Sequence, residues 1–438
     1  MDIHEQDLTK QDIEKIRKEL TVVLKSDYGP TKSYKIYEYN KVTAKFTVPL
    51  HWASNNLSVK INPVFKSTVH INIGNVLATP RQVQVDCTPL CVQELNKEWG
   101  GGIINIITGG GKSIQAMMLI AHAKLKTLVV VHTVELMQQW TASINKFLPQ
   151  ARVGRIQGKT FDVNSKDIVI GMLHTISMKA ELKKDMFEDF GIVFYDEVQF
   201  LSAEVFSKAL MKSRARYVFG LSATIERADG MEHVFKHHIG EILYSNVSTA
   251  LKQYTNINII YYRNPEAKEK TMYNGSPNIA GMITDLSENV DRTKMICQEL
   301  LKLDETRNVL VLSERVEHLR SIHRILGDEI SGIFVGGMKE PDKAKSKAKR
   351  ILLATYHIAS VGFDHPKLNT LVFATPRSNI TQAIGRIYRK IHEVNPMIID
   401  IADTYSVFPY QLKKRKKIYV KNIKASPEDA KETECLFD

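Results

Sequence analysis

Between about residue 80 and residue 245 the chain repeats one pattern, a short wholly apolar run followed by a longer stretch with helical spacing. The runs are "GIINII", "TLVVVH", "DIVIGM", "GIVFYD" and "YVFGLS". Among the stretches between them are "SIQAMMLIAHAK", "VELMQQWTASINKFL" and "SAEVFSKALMKS". A strand with no polar alternation is covered on both faces, and parallel strands must be joined by crossovers, usually helical. The pattern therefore predicts an α/β fold built on a parallel sheet. It pauses at "RNPEAKEKTMYNGSPNIAGMITDLSENVDRTK", which is polar and turn-rich and reads as a linker or inserted loop. It then resumes in "NVLVLSE", "GIFVGG", "RILLATY", "TLVFATP" and "MIIDIAD".

A chain of 438 residues is too long for one core. The expected division is a small α+β module at 1–75, one α/β unit at 76–248, a second at 249–424, and a polar tail at 425–438. Residues 1–25 read as an amphipathic helix. "YKIYEYNKVTAKFTVPLHW" and "SVKINPVFKSTVHINI" read as half-exposed strands. The basic run "KKRKK" at 413–417 suits either a solvated helix end or a phosphate contact.

No apolar run reaches the length of a membrane span, and the N-terminus lacks a signal-peptide core. Four scattered cysteines, Cys87, Cys91, Cys297 and Cys435, give neither a disulfide framework nor a four-ligand zinc site. A soluble, intracellular, reducing setting is the expectation, with no membrane partner. The formal charge of +12 suits a polyanion, nucleic acid before membrane.

"GIINIITGGGKSIQAMM" places three glycines, a lysine and a serine between a strand and a helix. Such a turn lets backbone N–H groups converge on a phosphate, helped by the helix N-terminus. Gly109, Gly110 and Gly111 would form the cradle, Lys112 would reach the β- and γ-phosphates, and Ser113 would ligate magnesium. The usual first glycine of that motif falls at Ile106, so the strict form is broken. "GIVFYDEVQF" ends a strand on Asp196 and Glu197. Asp196 would hold magnesium through water, and Glu197 would orient and deprotonate the attacking water.

Four stretches in order, "TGGGKS", "DEVQ", "GLSATIERADG" and "QAIGRIYRK", resemble motifs I, II, III and VI of the superfamily 2 helicases. They are most similar to the XPB branch and its phage UvsW-type and large-DNA-virus relatives, over roughly residues 80–405. The resemblance implies two RecA-like domains, with ATP between them and nucleic acid across their top. It adds Thr108 to the phosphate loop and gives Ser222 and Thr224 the linkage of hydrolysis to domain movement. It brings Gln382, Arg386 and Arg389 to the phosphates from the second domain, the arginines as fingers; the spacing of Gln382, Gly385, Arg386 and Arg389 by three or four also puts them on one helical face. "ATYHIASVGFDHP" resembles motif V, implying that Thr355, Gly362 and Asp364 lie near nucleotide and backbone. Thr133, His174, Thr175, Ser313 and Arg315 would meet the bound strand.

Three departures stand out. Gln199 occupies the place where motif II usually carries His. "TPLCVQ" has Pro89 but Cys91 where an adenine-reading Gln is usual, leaving Gln93 or Arg81 as substitutes. The Arg-Glu-Asp element of the eukaryotic branch is only Arg227-Ala228-Asp229.

The reading that results is an ATP- and magnesium-dependent motor on DNA, with branched DNA or duplex and single-strand junctions as substrates. Transcription or replication machinery is a further expected partner; a viral source would place it in a host-cell cytoplasmic factory or a virion. Two readings compete: an RNA-directed motor, and a scaffold subunit that keeps the motor fold without turnover. A metabolic P-loop kinase is disfavoured by the second α/β unit with its arginine helix.

Overall fold

The computed structural model describes residues 1–24, 32–61, 63, 65, 69–107, 109–182, 184–202, 204–223, 225, 231–246, 254–360, 365–388, 392–422 and 431–435. They form two compact units that divide between Val247 and Ser248.

The first unit opens with β1 (Asp2–His4), α1 (Lys10–Glu19), β2 (Thr21–Leu24), β3 (Lys32–Lys35), β4 (Glu38–Asn40), β5 (Lys45–Thr47) and α2 (Leu50–Asn56). A helix over 1–25 does not form. Thr9 caps α1 by accepting from the Asp12 N–H, and Asp12 returns the bond to the Thr9 N–H, which fixes the start. The β-branched run after Leu20 then leaves the helix to pair antiparallel with β3. β1, β5 and β4 make a separate three-stranded sheet. The strand expected over "SVKINPVFKSTVHINI" is also absent among the described residues, where the stretch makes one bridge, His70 to Leu125. Pro63 withholds a ladder donor there.

Next come α3 (Gln82–Leu95), β6 (Gly100–Ile106), α4 (Lys112–Ala123), β7 (Thr127–Val131), α5 (Val134–Phe147), β8 (Val153–Gln157), β9 (Thr160–Asp162), β10 (Ile168–Met172) and α6 (Leu173–Met178). β11 (Ile192–Asp196), α7 (Glu204–Lys212), β12 (Tyr217–Ser222), α8 (Glu232–Ile239) and β13 (Ile242–Asn246) complete the unit. The sheet order is β13-β6-β12-β11-β7-β10-β8-β9, parallel throughout except for the β8–β9 pair. The N-terminal module is not a free-standing body. Its core of Ile16, Phe46, Val48 and Trp52 includes Met231 and Val234 from the α8 region.

The second unit runs β14 (Asn256–Tyr262), α9 (Ile279–Glu288), α10 (Val290–Leu301), β15 (Val309–Ser313), α11 (Val316–Leu326), β16 (Ser331–Phe334), α12 (Glu340–Lys347) and β17 (Ile351–Thr355). α13 (Tyr356–Ser360), β18 (Thr370–Phe373), α14 (Thr381–Ile384), β19 (Met397–Asp403), α15 (Phe408–Asn422) and β20 (Lys431–Cys435) follow. Its seven strands are parallel, in the order β16-β17-β15-β18-β19-β14-β20. Leu310 and Leu312 face one core and Val309 and Val311 the other, so both sheet faces are covered. The stretch read as a linker is largely helical from Ile279 onward, because Asn278 and Asn289 cap α9 and α10 through their side chains.

Two buried ion pairs hang the outer helices on β19. Arg292 of α10 meets both oxygens of Asp403 at 2.8 Å. Arg415 of α15 donates to Asp400 at 2.8 Å, and Tyr419 donates to the same oxygen at 2.6 Å. Arg415 belongs to the basic run 413–417 yet is only 1% exposed, so this member of the run is an internal anchor and not a phosphate contact.

Candidate active site

β6, β12 and β11 are neighbours and parallel, so their carboxyl ends open on one edge of the sheet, where α/β proteins place their ligands. β6 leads into the glycine turn, β11 ends on Asp196, and β12 ends on Ser222.

The turn has the shape that its glycines permit. Gly111, at φ +91°, is the N-cap of α4. The positive φ favours glycine there, and a Cβ would come within 2.7 Å of the Gln84 amide nitrogen and displace that side chain. Gln84 braces the turn from α3. Its Nε2 donates to the Gly110 carbonyl at 2.8 Å, and its Oε1 accepts from the Arg81 N–H at 2.9 Å. Arg81 adds a bond to the Gly109 carbonyl at 2.9 Å. Gln84 is the residue that sequence reasoning missed; the signal available was "RQVQ" at 81–84, where Arg81 is the N-cap of α3 and Gln84 lies in its first turn. Gln93, the other substitute considered, is exposed.

Lys112 Nζ stands 3.7 Å from Glu197 Oε1. Gln199 donates from Nε2 to Glu197 Oε2 at 2.8 Å and accepts from Ser222 Oγ at 2.8 Å. One polar chain, Lys112–Glu197–Gln199–Ser222, thus joins the glycine turn, the acidic pair and the end of β12. Glu197 itself sits in the left-handed region at φ +57°. That conformation costs a residue with a Cβ roughly 1–2 kcal/mol, and such strain recurs where a side chain must be aimed. Asp196 Oδ2 accepts from the indole N–H of Trp140 at 2.9 Å. Burial, reinforced by the neighbouring Glu197 charge, raises the Asp196 carboxyl to about 6; Lys112 and Trp140 pull the other way.

The remaining candidates are distributed as follows. Thr133 caps α5, accepting from the Leu136 N–H at 3.2 Å. His174 is exposed on α6, while Thr175 is buried and accepts from the Gly158 N–H at 3.1 Å. Ser313 is fully buried against His318 Nδ1 at 3.1 Å. Arg315 is bonded to α9, through the Thr284 hydroxyl at 3.1 Å and the Ala280 carbonyl at 2.8 Å. Thr355 ends β17 and is half-buried. Gln382 is half-buried and Arg386 is 3% exposed. The helix expected under Gln382, Gly385 and Arg386 is α-helical for one turn only, in α14, and continues as a 3₁₀ segment at Gly385–Tyr388. Thr108, Thr224, Gly362, Asp364 and Arg389, with Arg227, Ala228 and Asp229, lie outside the described residues.

Cys87 and Cys91 are both buried, with sulfurs 3.7 Å apart. Among the described residues no group of three or more His, Cys, Asp or Glu side chains could hold a metal. No helix among them is long and apolar enough to cross a membrane.

Comparison with known proteins adds relatives. Residues 77–227 match the ResIII family, described as type III restriction enzyme, res subunit. The chain is 34% identical to a mimivirus (Acanthamoeba polyphaga mimivirus) protein named "Putative ATP-dependent RNA helicase L396", over 74% of this chain and 64% of that one, so it spans less than two thirds of that relative's length. It is 28% identical to "Putative helicase 161L" of Invertebrate iridescent virus 6, over 73% of this chain and 76% of the other. Among solved structures, "The crystal structure of T4 UvsW" aligns over 99% of both chains at 20% identity with a TM-score of 0.38.

Proposed function

We propose that this chain, which carries a ResIII domain at residues 77–227 and is related to helicase-like proteins of viruses, is a nucleic-acid-stimulated ATPase that moves along or remodels DNA. The observation that carries the reading is the polar chain from Lys112 through Glu197 and Gln199 to Ser222, because it ties the phosphate turn to the acidic pair and to a third strand end.

In this reading the glycine turn and the N-terminus of α4 take the phosphates, and Lys112 leaves Glu197 for the β- and γ-oxygens. Glu197 is then free to hold the attacking water and accept its proton, while Gln199 keeps the carboxylate aimed. Ser222, at the far end of that link, senses which state Glu197 is in. Arg386 and Arg389 of the second unit stabilise the charge that develops on the transferring phosphoryl group.

Magnesium fits the residues present. Asp196 has one oxygen fixed by Trp140, and Ser113 follows Lys112 in the first turn of α4. Magnesium is commonly held by one or two protein groups plus substrate phosphates, so a larger carboxylate cluster is not needed. When bound it neutralises phosphate charge; Ser113 and Asp196 are the groups that would hold it.

An RNA substrate is the second reading, favoured by the printed name of the mimivirus relative. ATP turnover measured with single-stranded DNA, forked duplex DNA and RNA decides between them. The expected result is stimulation in the wild type, largest with DNA, and loss of at least a hundredfold in Lys112→Ala and in Glu197→Gln with polynucleotide binding retained. Undiminished turnover in Glu197→Gln would assign the base elsewhere. A flat wild-type response to every polynucleotide would leave only the scaffold reading.

A further inference from the structure

Just ahead of α9 the chain turns through a small hairpin, and its tip carries Tyr273, at 111% the most exposed large hydrophobic side chain among the described residues. Met272 beside it is half exposed. The tip closes on its own hydrogen bonds. Thr271 and Pro277 bridge antiparallel, the Met272 N–H donates to the Ser276 carbonyl at 2.7 Å, and the Gly275 N–H donates to the Met272 carbonyl at 2.9 Å. Asn274 Oδ1 accepts from both the N–H and the hydroxyl of Ser276. Gly275, at φ +78°, makes the reversal.

The base of the hairpin is fastened to α9. The Asn278 N–H donates to the Lys270 carbonyl at 2.7 Å, and Lys270 Nζ meets Asp285 at 2.6 Å. α9 is also the helix that holds the Arg315 guanidinium. The helix that fastens the exposed ring's hairpin is therefore the one that also holds Arg315, a residue expected at the bound strand.

We propose that Tyr273 is a stacking platform for a nucleobase of the bound polynucleotide, with Met272 against the edge of that base or its sugar. The proposal rests on the nucleic-acid motor reading. A ring held out on a narrow turn offers one π-face, which fits a base; a specific protein contact needs an area of about 800 Å² per partner, far more than a turn of this size presents. The charges on the approaching arm nearly cancel, with Arg263, Lys268 and Lys270 against Glu266 and Glu269. Recognition here is thus through the ring and not through phosphate, and its contribution is insensitive to salt.

The test uses the full chain with oligothymidylate and oligouridylate. Tyr273→Trp places a reporter at the tip, and its emission is quenched on binding beyond the change seen in the wild type. Tyr273→Ala weakens binding about fivefold to a hundredfold, the range of one lost base–aromatic stack, by the same factor at low and high salt. Tyr273→Phe stays within a few-fold of the wild type, as does Tyr410→Ala, which removes an exposed tyrosine from α15. Quenching with one polymer alone identifies which of the two polynucleotides the site takes. Wild-type binding together with no quenching in Tyr273→Trp and unchanged binding in Tyr273→Ala overturns the stacking role alone. A wild type that binds neither polymer overturns the motor reading and this proposal with it.

Discussion

Gln199 bonds to both Glu197 and Ser222, and in the proposed reading it is the residue that links the acidic pair to the end of β12. A primary amide can accept on one side and donate on the other, and here it takes the Ser222 proton and offers its own to Glu197. Gln199→Ala breaks both bonds, and a hydrogen bond to a charged group is worth about 1.5–3 kcal/mol. The expected outcome is a drop of tenfold or more in the ratio of polynucleotide-stimulated to unstimulated ATP turnover. Gln199→His, which keeps a donor, holds that ratio within a few-fold; an unchanged ratio in Gln199→Ala would remove Gln199 from the coupling path. That Lys112 and Glu197 would come together was readable from sequence, because a glycine turn and an acidic strand end on one parallel sheet open on the same edge. Gln84 was not, because its role comes from packing α3 against the glycine turn, 26 positions away in the chain.

At the scale of elements, the seam between the N-terminal module and α8 carries the sharpest consequence. His51, His237 and His238 lie there, His51 edge-on to Trp99 and His237 edge-on to Trp52. Burial lowers His51 and His237 to about 4 and holds His238 well below its ordinary value. The folded rings stay neutral while the unfolded chain takes up protons below about 6.5. The stabilisation is therefore complete above that pH and is lost as pH falls toward 4, by up to about 1.4 kcal/mol per pH unit for each ring. Urea denaturation followed by the signal of Trp52 and Trp99 should show the midpoint falling steeply between pH 7 and pH 5. A midpoint indifferent to pH would mean that these rings are protonated in the folded state. The long parallel strands were legible because an apolar run buried on both faces leaves little choice. β4 and β5 fall within the stretch read as half-exposed strands, but β1, β2 and the helices from Ile279 onward were not legible. In the first case three- and four-residue strands carry too few alternations to show a period. In the second, polar composition hid the two asparagine caps that start α9 and α10.

For the whole molecule, two parallel-sheet units in tandem were foreseen, and the dependence of the N-terminal module on α8 was not, since Met231 and Val234 are remote in sequence from the core they complete. The account stands or falls on whether the second unit takes part in chemistry at a triphosphate bound by the first. Single-turnover hydrolysis of ATP in the presence of DNA, set beside nucleotide affinity, tests this most directly in Arg386→Ala and Arg389→Ala. The expected result is hydrolysis slowed by about a thousandfold or more in at least one of them, with affinity within a few-fold of the wild type. Full-rate hydrolysis in both variants, or equal losses in rate and affinity, would contradict the two-unit engine.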